Sequence, residues 1–125
     1  MDYRIWHTLS TGLLVAFGTG MSFCALFSST PARAAPTDTF CTPVQVVDWG
    51  VRVHVRCAAA VGGIIYFAVS TSDSQRAARV LSLASTALVA GRTLIINYDP
   101  ADLSGASFGC QTNDCRVIRA IGFGQ

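Results

Sequence analysis

Residues 72–98 read SDSQRAARVLSLASTALVAGRTLIINY, and this stretch predicts a helix that passes directly into a β-strand. Apolar residues recur there at helical spacing and form one stripe, which comprises Ala77, Val80, Leu81, Leu83, Ala84, Ala87 and Leu88. Polar residues occupy the opposite side, at Arg76, Arg79, Ser82 and Thr86. The pattern predicts a helix over residues 73–90 that covers apolar surface with one face.

Both ends of this helix carry end signals. Ser72 and Gln75 have the spacing of a capping box, in which each residue satisfies a free backbone N–H of the other. Asp73 follows in the first turn, where the helix dipole favours a negative charge. Gly91 stands after the last periodic residue and suits the left-handed backbone of a helix end. Residues 92–98 are rich in β-branched side chains and therefore predict a strand.

Residues 1–34 have the layout of a secretory signal peptide. An apolar run over residues 13–27 follows Arg4 and His7 and precedes a group of small residues. The run is shorter than the roughly 20 apolar residues that a spanning helix needs, and a retained membrane anchor is the alternative. We place cleavage after Ala34. The mature protein is then predicted to be secreted or periplasmic, with no membrane span.

The cysteine count fits export. Removal of the signal peptide would take away Cys24 and leave Cys41, Cys57, Cys110 and Cys115. Exported chains meet an oxidising environment in which four cysteines can pair completely, with three possible connectivities. We favour one disulfide that closes the loop CQTNDC and a second between the first two cysteines. A zinc site is the metal alternative, but the paired C-x-x-C spacing is absent and we predict no metal.

The charge balance and the titratable residues argue against several functions. Residues 35–125 contain seven Arg, six Asp, and neither Lys nor Glu, so they lack the basic footprint of a nucleic-acid-binding protein. His54 is the single histidine in this region, so no site with two histidines can form. Asp99 and Asp102 could suggest a pair of catalytic acids, but they flank Pro100 in a loop of turn-forming residues. We predict a non-catalytic protein without a cofactor; a small exported enzyme is the alternative.

The mature chain predicts five strands around the helix. They cover residues 44–48, 51–57, 64–71, 92–98 and 116–123. The second is the clearest, because Val51, Val53, Val55 and Cys57 alternate with Arg52, His54 and Arg56. Three strands, a helix and two strands is the order of an OB-fold, a five-stranded, partly open barrel. We therefore assign residues 35–43 to an extended lead-in and residues 44–125 to a mostly β OB-fold domain with one helix between strands three and four.

At this point the sequence resembles a known family. The shared features are VQVVD at 44–48, VRVHVRC at 51–57, AVS at 68–70, the helix end AxxAGRTLII at 87–96 and CQTNDC at 110–115. In this order and spacing they resemble the binding subunits of bacterial toxins with five B-subunits, such as subtilase cytotoxin and typhoid toxin. The resemblance implies an OB-fold subunit in a pentameric ring, cell-surface glycans as ligands, often sialylated, and a separate enzymatic A-subunit.

No glycan-contacting residue can be transferred from that family, because the segment before the first strand departs from its pattern. The candidates therefore come from chemistry alone. Aromatic rings that also hydrogen-bond suit sugar stacking, and Arg suits an anionic sugar. The glycan-binding candidates are Trp49, Arg52, His54 and Tyr98, and the oligomer-interface candidates are Arg76, Arg79, Ser82 and Thr86. A competing interpretation is a monomeric secreted or periplasmic OB-like module that binds or inhibits another protein.

Overall fold

The computed structural model describes residues 34–125. The predicted signal peptide and Cys24 lie outside the described residues, apart from Ala34 at the proposed cleavage site. The described chain forms seven strands and one α-helix, in the order β1 (Thr37–Cys41), β2 (Pro43–Asp48), β3 (Arg52–Val61), β4 (Ile64–Ser70), α1 (Ser74–Ala90), β5 (Leu94–Tyr98), β6 (Cys115–Val117) and β7 (Ala120–Phe123). A short 3₁₀ helix, Ser104–Phe108, lies between β5 and β6. The protein is thus mostly β with one helix, as predicted.

The strands form two sheets. The larger sheet has the order β2-β3-β4-β6 and the smaller has the order β1-β5-β7. β4 and β6 run parallel, whereas all other neighbours are antiparallel. The strand pairing therefore differs from the predicted five-stranded barrel, because it forms two separate sheets.

Seven strands replace the predicted five because two stretches of chain change sheets. Pro43 has no backbone N–H to donate, and the first stretch breaks at Thr42 into β1 and β2. The last stretch breaks between β6 and β7. There the N–H of Ile118 bonds Ala68 in the larger sheet, and the N–H of the next residue, Arg119, bonds Asn97 in the smaller one.

The segment assigned to a lead-in is part of the sheet structure. Thr37 to Cys41 pair with β5 in an antiparallel register that matches Cys41 with Leu94. Thr39 on this strand is buried. The segment is extended, as expected, but it is held by a strand ladder as well as by its cysteine.

The helix follows the predicted boundaries with a different N-terminal cap. Asp73 is the capping residue, and its carboxylate accepts a hydrogen bond from the N–H of Arg76 at 2.9 Å. Ser72 takes part in a turn with Ser70 instead of the predicted capping box. Gly91 ends the helix at φ 61°, in the left-handed region, as predicted.

One face of α1 covers a core between the sheets. Its buried residues are Ala77, Val80, Ala84 and Ala87. They pack with the inward side chains of β3, β4 and β5, which include Val53, Val55, Phe67, Leu94 and Ile96. Leu88, predicted for this face, is partly exposed, because it lies in the last turn of the helix. Within residues 34–125, no helix has the length and apolar character needed to cross a bilayer.

Both disulfides have the favoured pairing. Cys41–Cys57 joins the end of β1 to β3 inside this core. Cys110–Cys115 closes the loop before β6. It belongs to a second, smaller apolar cluster with Ala68, Tyr66 and Phe108. The first disulfide thus links the two sheets, and the second closes a loop beside the larger sheet.

Candidate functional site

The outer face of the larger sheet forms a concave site, which we call the β3 pocket. It encloses about 320 Å³. Its floor comes from alternate residues of neighbouring strands, because every second side chain of a strand points to the same face. The lining residues are Gln45, Val47, Trp49, Arg52, His54, Arg56, Tyr66, Gly109, Gln111, Asp114 and Cys115.

The strand register fixes the order of side chains across the floor. Gln45 lies opposite Arg56, Arg56 opposite Tyr66, and Tyr66 opposite Cys115. This row crosses all four strands of the sheet. It places an amide, a guanidinium, a phenol and a disulfide side by side.

The disulfide loop forms one wall of the pocket. The loop of residues 110–115 stays close to β4, because the N–H groups of Ile65 and Tyr66 both bond the carbonyl of Asp114 at 3.0 Å. Arg116 also stabilises the loop, because its guanidinium donates hydrogen bonds to the carbonyls of Pro100 and Thr112. The backbone of Asp114 is therefore held against β4, and its side chain lines the edge of the pocket.

The side chain of Arg52 is held in the pocket by contacts with Phe108 and Trp49. Its Nη1 donates to the carbonyl of Phe108 at 3.1 Å, and its guanidinium carbon lies 5.9 Å from the ring centroid of Trp49. Gly109 lies beside this guanidinium at φ 89°, and a Cβ at that position would collide with Nη1. Arg52 Nε is buried and has no hydrogen-bond partner among the described residues. The glycine thus makes room for the arginine.

His54 is packed between an aromatic ring and a disulfide. Its ring lies 4.7 Å from that of Tyr66, and its Nε2 lies 3.6 Å from Cys115 Sγ. Burial lowers the pKa of His54 from its ordinary 6.5, the nearby Arg52 lowers it further, and Asp114 opposes the change. Near neutral pH the imidazole is therefore uncharged, and the arginines carry the positive charge of the pocket.

Three of the four glycan-binding candidates lie together. Trp49, Arg52 and His54 all line the β3 pocket, and Trp49 is 58% exposed. Tyr98 does not belong to it, because only 5% of this residue is exposed and its ring packs edge-on against Phe67 in the core. Tyr98 is therefore separated from the other three candidates and is buried in the core.

The remaining lining residues have weaker signals in the sequence. Arg56 continues the alternation of Arg52 and His54, and Gln45 stands in register with it. Tyr66 stands in a strand of mostly apolar residues, yet it is half-buried and lines the pocket. Gln111 and Asp114 reach the site only because the disulfide loop folds against β4.

The oligomer-interface candidates divide in two. Arg79, Ser82 and Thr86 are exposed on the outer face of α1. Arg76 is half-buried, and its Nη2 donates to the carbonyls of Ile118 and Arg119. It therefore joins α1 to the chain between β6 and β7 instead of facing a neighbour.

Other candidate chemistry is accounted for by structure. Asp99 Oδ1 accepts from the N–H of Ala101 and Asp102 Oδ1 from the N–H of Ser104, which are turn interactions. Asp99 is also buried and paired with Arg119 at 3.3 Å. Among residues 34–125, no group of three or more His, Cys or acidic side chains is arranged to hold a metal ion.

No protein-family model, curated protein or solved structure matches the chain. The interpretation of the β3 pocket rests on its own geometry and chemistry.

Proposed function

We propose that the protein is an exported, non-catalytic glycan-binding subunit that self-associates. The observation that carries the proposal is the placement of Trp49, Tyr66, Arg52 and Arg56 on one concave, accessible face. The two disulfides are compatible with an oxidising compartment and hence with a secreted or periplasmic protein.

The chemistry of the pocket suits a sugar with an acidic group. Trp49 offers an exposed ring for stacking on the apolar face of a pyranose. Arg52 and Arg56 offer guanidinium groups, whose planar fork matches a carboxylate. Gln45, Gln111 and Asp114 supply donors and acceptors for hydroxyl groups. A sialylated glycan, as the family resemblance implies, combines these features.

The proposed architecture is an OB-type barrel. In support of it, one residue separates β1 from β2 and two separate β6 from β7, so that two long stretches of chain belong to both sheets. The helix between β4 and β5 also fits the OB-fold order. A crystal structure in which the two sheets diverge at these points would contradict the proposal.

The outer face of α1 is the proposed surface for self-association. Arg79, Ser82 and Thr86 are exposed there, and Val89 at its end is 89% exposed. Short side chains allow close approach of symmetry-related helices, and the exposed valine gains from burial. Native mass spectrometry of the purified protein tests this: a ring of five copies supports it, and a single copy at every concentration contradicts it. Delivery of a separate enzymatic subunit remains part of the same proposal.

The ligand is tested on a glycan array, followed by calorimetry with the strongest binder. Trp49→Ala should weaken binding about tenfold or more, since a stacked aromatic anchor carries a large share of binding energy. Phe40→Ala is the matched control, because Phe40 is also an exposed aromatic, at 66%, but lies in the other sheet. No signal from any glycan, or equal loss in both variants, would favour the protein-binding alternative.

A further inference from the structure

A second groove lies beside the first half of α1, away from the β3 pocket. It encloses about 470 Å³ between the helix and the chain that leads into β7. Val80, Leu83 and Ile121 give it an apolar floor, and Arg76, Arg79 and Arg119 give it a basic rim. Nothing in the proposed glycan site uses this groove.

The charges of the rim are unbalanced. The one acidic residue that lines the groove, Asp73, already caps the helix. Arg76 is occupied by two carbonyls, and Arg119 pairs with the buried Asp99. Arg79 is exposed and forms no ion pair with any described residue. Among residues 34–125, the groove therefore presents a positive charge without an ion-pair partner beside an apolar surface, which complements an acidic partner.

The groove runs along the open edge of β7. Adjacent residues Ala120 and Ile121 both line it, although neighbouring side chains of a strand point to opposite faces. An edge position, at which backbone atoms also reach the groove, accounts for this. β7 ends the order β1-β5-β7, and among residues 34–125 it pairs with β5 alone.

The ladder determines which backbone groups are available at that edge. The N–H of Gly124 bonds the carbonyl of Thr93, and bonded and non-bonded pairs alternate in an antiparallel ladder. Gly122 therefore bonds its partner Ile95. The N–H and C=O groups of Ile121 and Phe123 therefore point away from β5, and Ile121 lines the groove.

We propose that this groove binds an extended acidic segment of a partner protein, which pairs with β7 as an added strand. The backbone of the segment bonds Ile121 and Phe123, one carboxylate meets Arg79, and an apolar side chain packs on Val80 and Leu83. Strand addition derives affinity from the main chain and specificity from alternate side chains. The proposal stands whether or not the β3 pocket binds a glycan. Arg79 also lies on the proposed self-association surface, so peptide binding is measured on the protein in the oligomeric state that native mass spectrometry finds.

The probe is a library of random 12-residue peptides displayed on phage and selected on the purified protein. We expect enriched peptides to combine Asp or Glu with β-branched or aromatic residues. Arg79→Glu should weaken the selected peptide about tenfold or more, since it places like charges together. Arg56→Glu is the control, because Arg56 is also an exposed arginine but lies in the β3 pocket, away from the groove. Failure to enrich acidic peptides, or equal effects of both variants, would overturn the proposal.

A second pair of variants tests the backbone contact. Phe123→Pro removes an N–H that points away from β5 and leaves the bonds to β5 in place, whereas Phe123→Ala removes only the side chain. Peptide binding should be lost in the first and retained in the second. Hydrogen exchange at residues 121 and 123 should slow when the peptide binds. Equal losses in the two variants, protection confined to another segment, or a groove filled by a second copy of this chain would each contradict the proposal.

Discussion

The two faces of β3 have different surroundings, although their residues alternate along one strand. Val53, Val55 and Cys57 face the core and are at most 2% exposed. Arg52, His54 and Arg56 face the β3 pocket. Substitutions on the first face should therefore change stability, and substitutions on the second should change binding. Because core-facing and pocket-facing residues occupy adjacent positions, variants of neighbouring residues can test this separation of stability from binding.

The largest expected effect comes from removing the core disulfide. Cys41→Ala with Cys57→Ala should lower the free energy of unfolding by about 3 kcal/mol, because the bond spans a sequence separation of 16. Cys110→Ala with Cys115→Ala spans a separation of 5 and should cost about 2 kcal/mol. Urea denaturation measures both. Loss of the Cys110–Cys115 bond should weaken ligand binding more than loss of the Cys41–Cys57 bond, because the shorter loop forms a wall of the pocket. A larger loss of binding in the Cys41/Cys57 variant would contradict the separation of stability from binding.

A smaller effect is expected within β3 itself. Val55→Ala removes two buried methyl groups and leaves a cavity, so it should cost about 2–3 kcal/mol. Arg56→Ala, at the next position, should change stability by no more than about 0.5 kcal/mol, because this residue is exposed. Thermal and urea unfolding of the two variants provide the comparison. Similar losses at both positions would show that the outer face also carries stability.

Gly109 tests whether the pocket depends on the position of Arg52. Gly109→Ala introduces both backbone strain, of about 1–2 kcal/mol, and a collision with the guanidinium. Gly63→Ala is the matched control, since Gly63 has a similar φ of 83° and open space around its Cβ position. Both variants should lose similar stability, but the first alone should weaken glycan binding, about tenfold, through loss of a charge-assisted contact. Equal binding by both would exclude Arg52 from ligand contact.

The smallest effect concerns the protonation of His54. Its pKa is lower in the folded protein than its ordinary 6.5, chiefly because of burial and then because of Arg52. The unfolded chain therefore binds a proton first as pH falls, so stability decreases from about pH 6.5 down to the lower pKa of the folded state. His54→Gln should remove this part of the pH dependence. Unfolding curves between pH 8 and pH 4 measure it, and identical profiles for the two proteins would contradict the prediction.

The sequence predicted those features that depend on local periodicity. The alternation along β3 gave the correct core face, and the spacing of small and apolar residues gave α1 and its end at Gly91. The favoured cysteine pairing, one of three possible, is also the one that the structure has. Trp49, Arg52 and His54 were predicted as candidates because they are polar or aromatic at positions next to a core strand.

Long-range pairing decided the rest. Tyr66 and Tyr98 are both tyrosines in apolar strands, yet Tyr66 lies on the outer face of the larger sheet and Tyr98 lies on the core side of the smaller sheet. Arg76 had the spacing of an exposed helix residue, but the carbonyls of Ile118 and Arg119 meet it there. The amino-acid sequence by itself determined the helix and the faces of β3, since these follow from repeats of two or 3.6 residues, and it favoured one of three cysteine pairings. Only the tertiary structure decided which faces meet to form a pocket or an open strand edge, because those contacts join residues that are far apart along the chain.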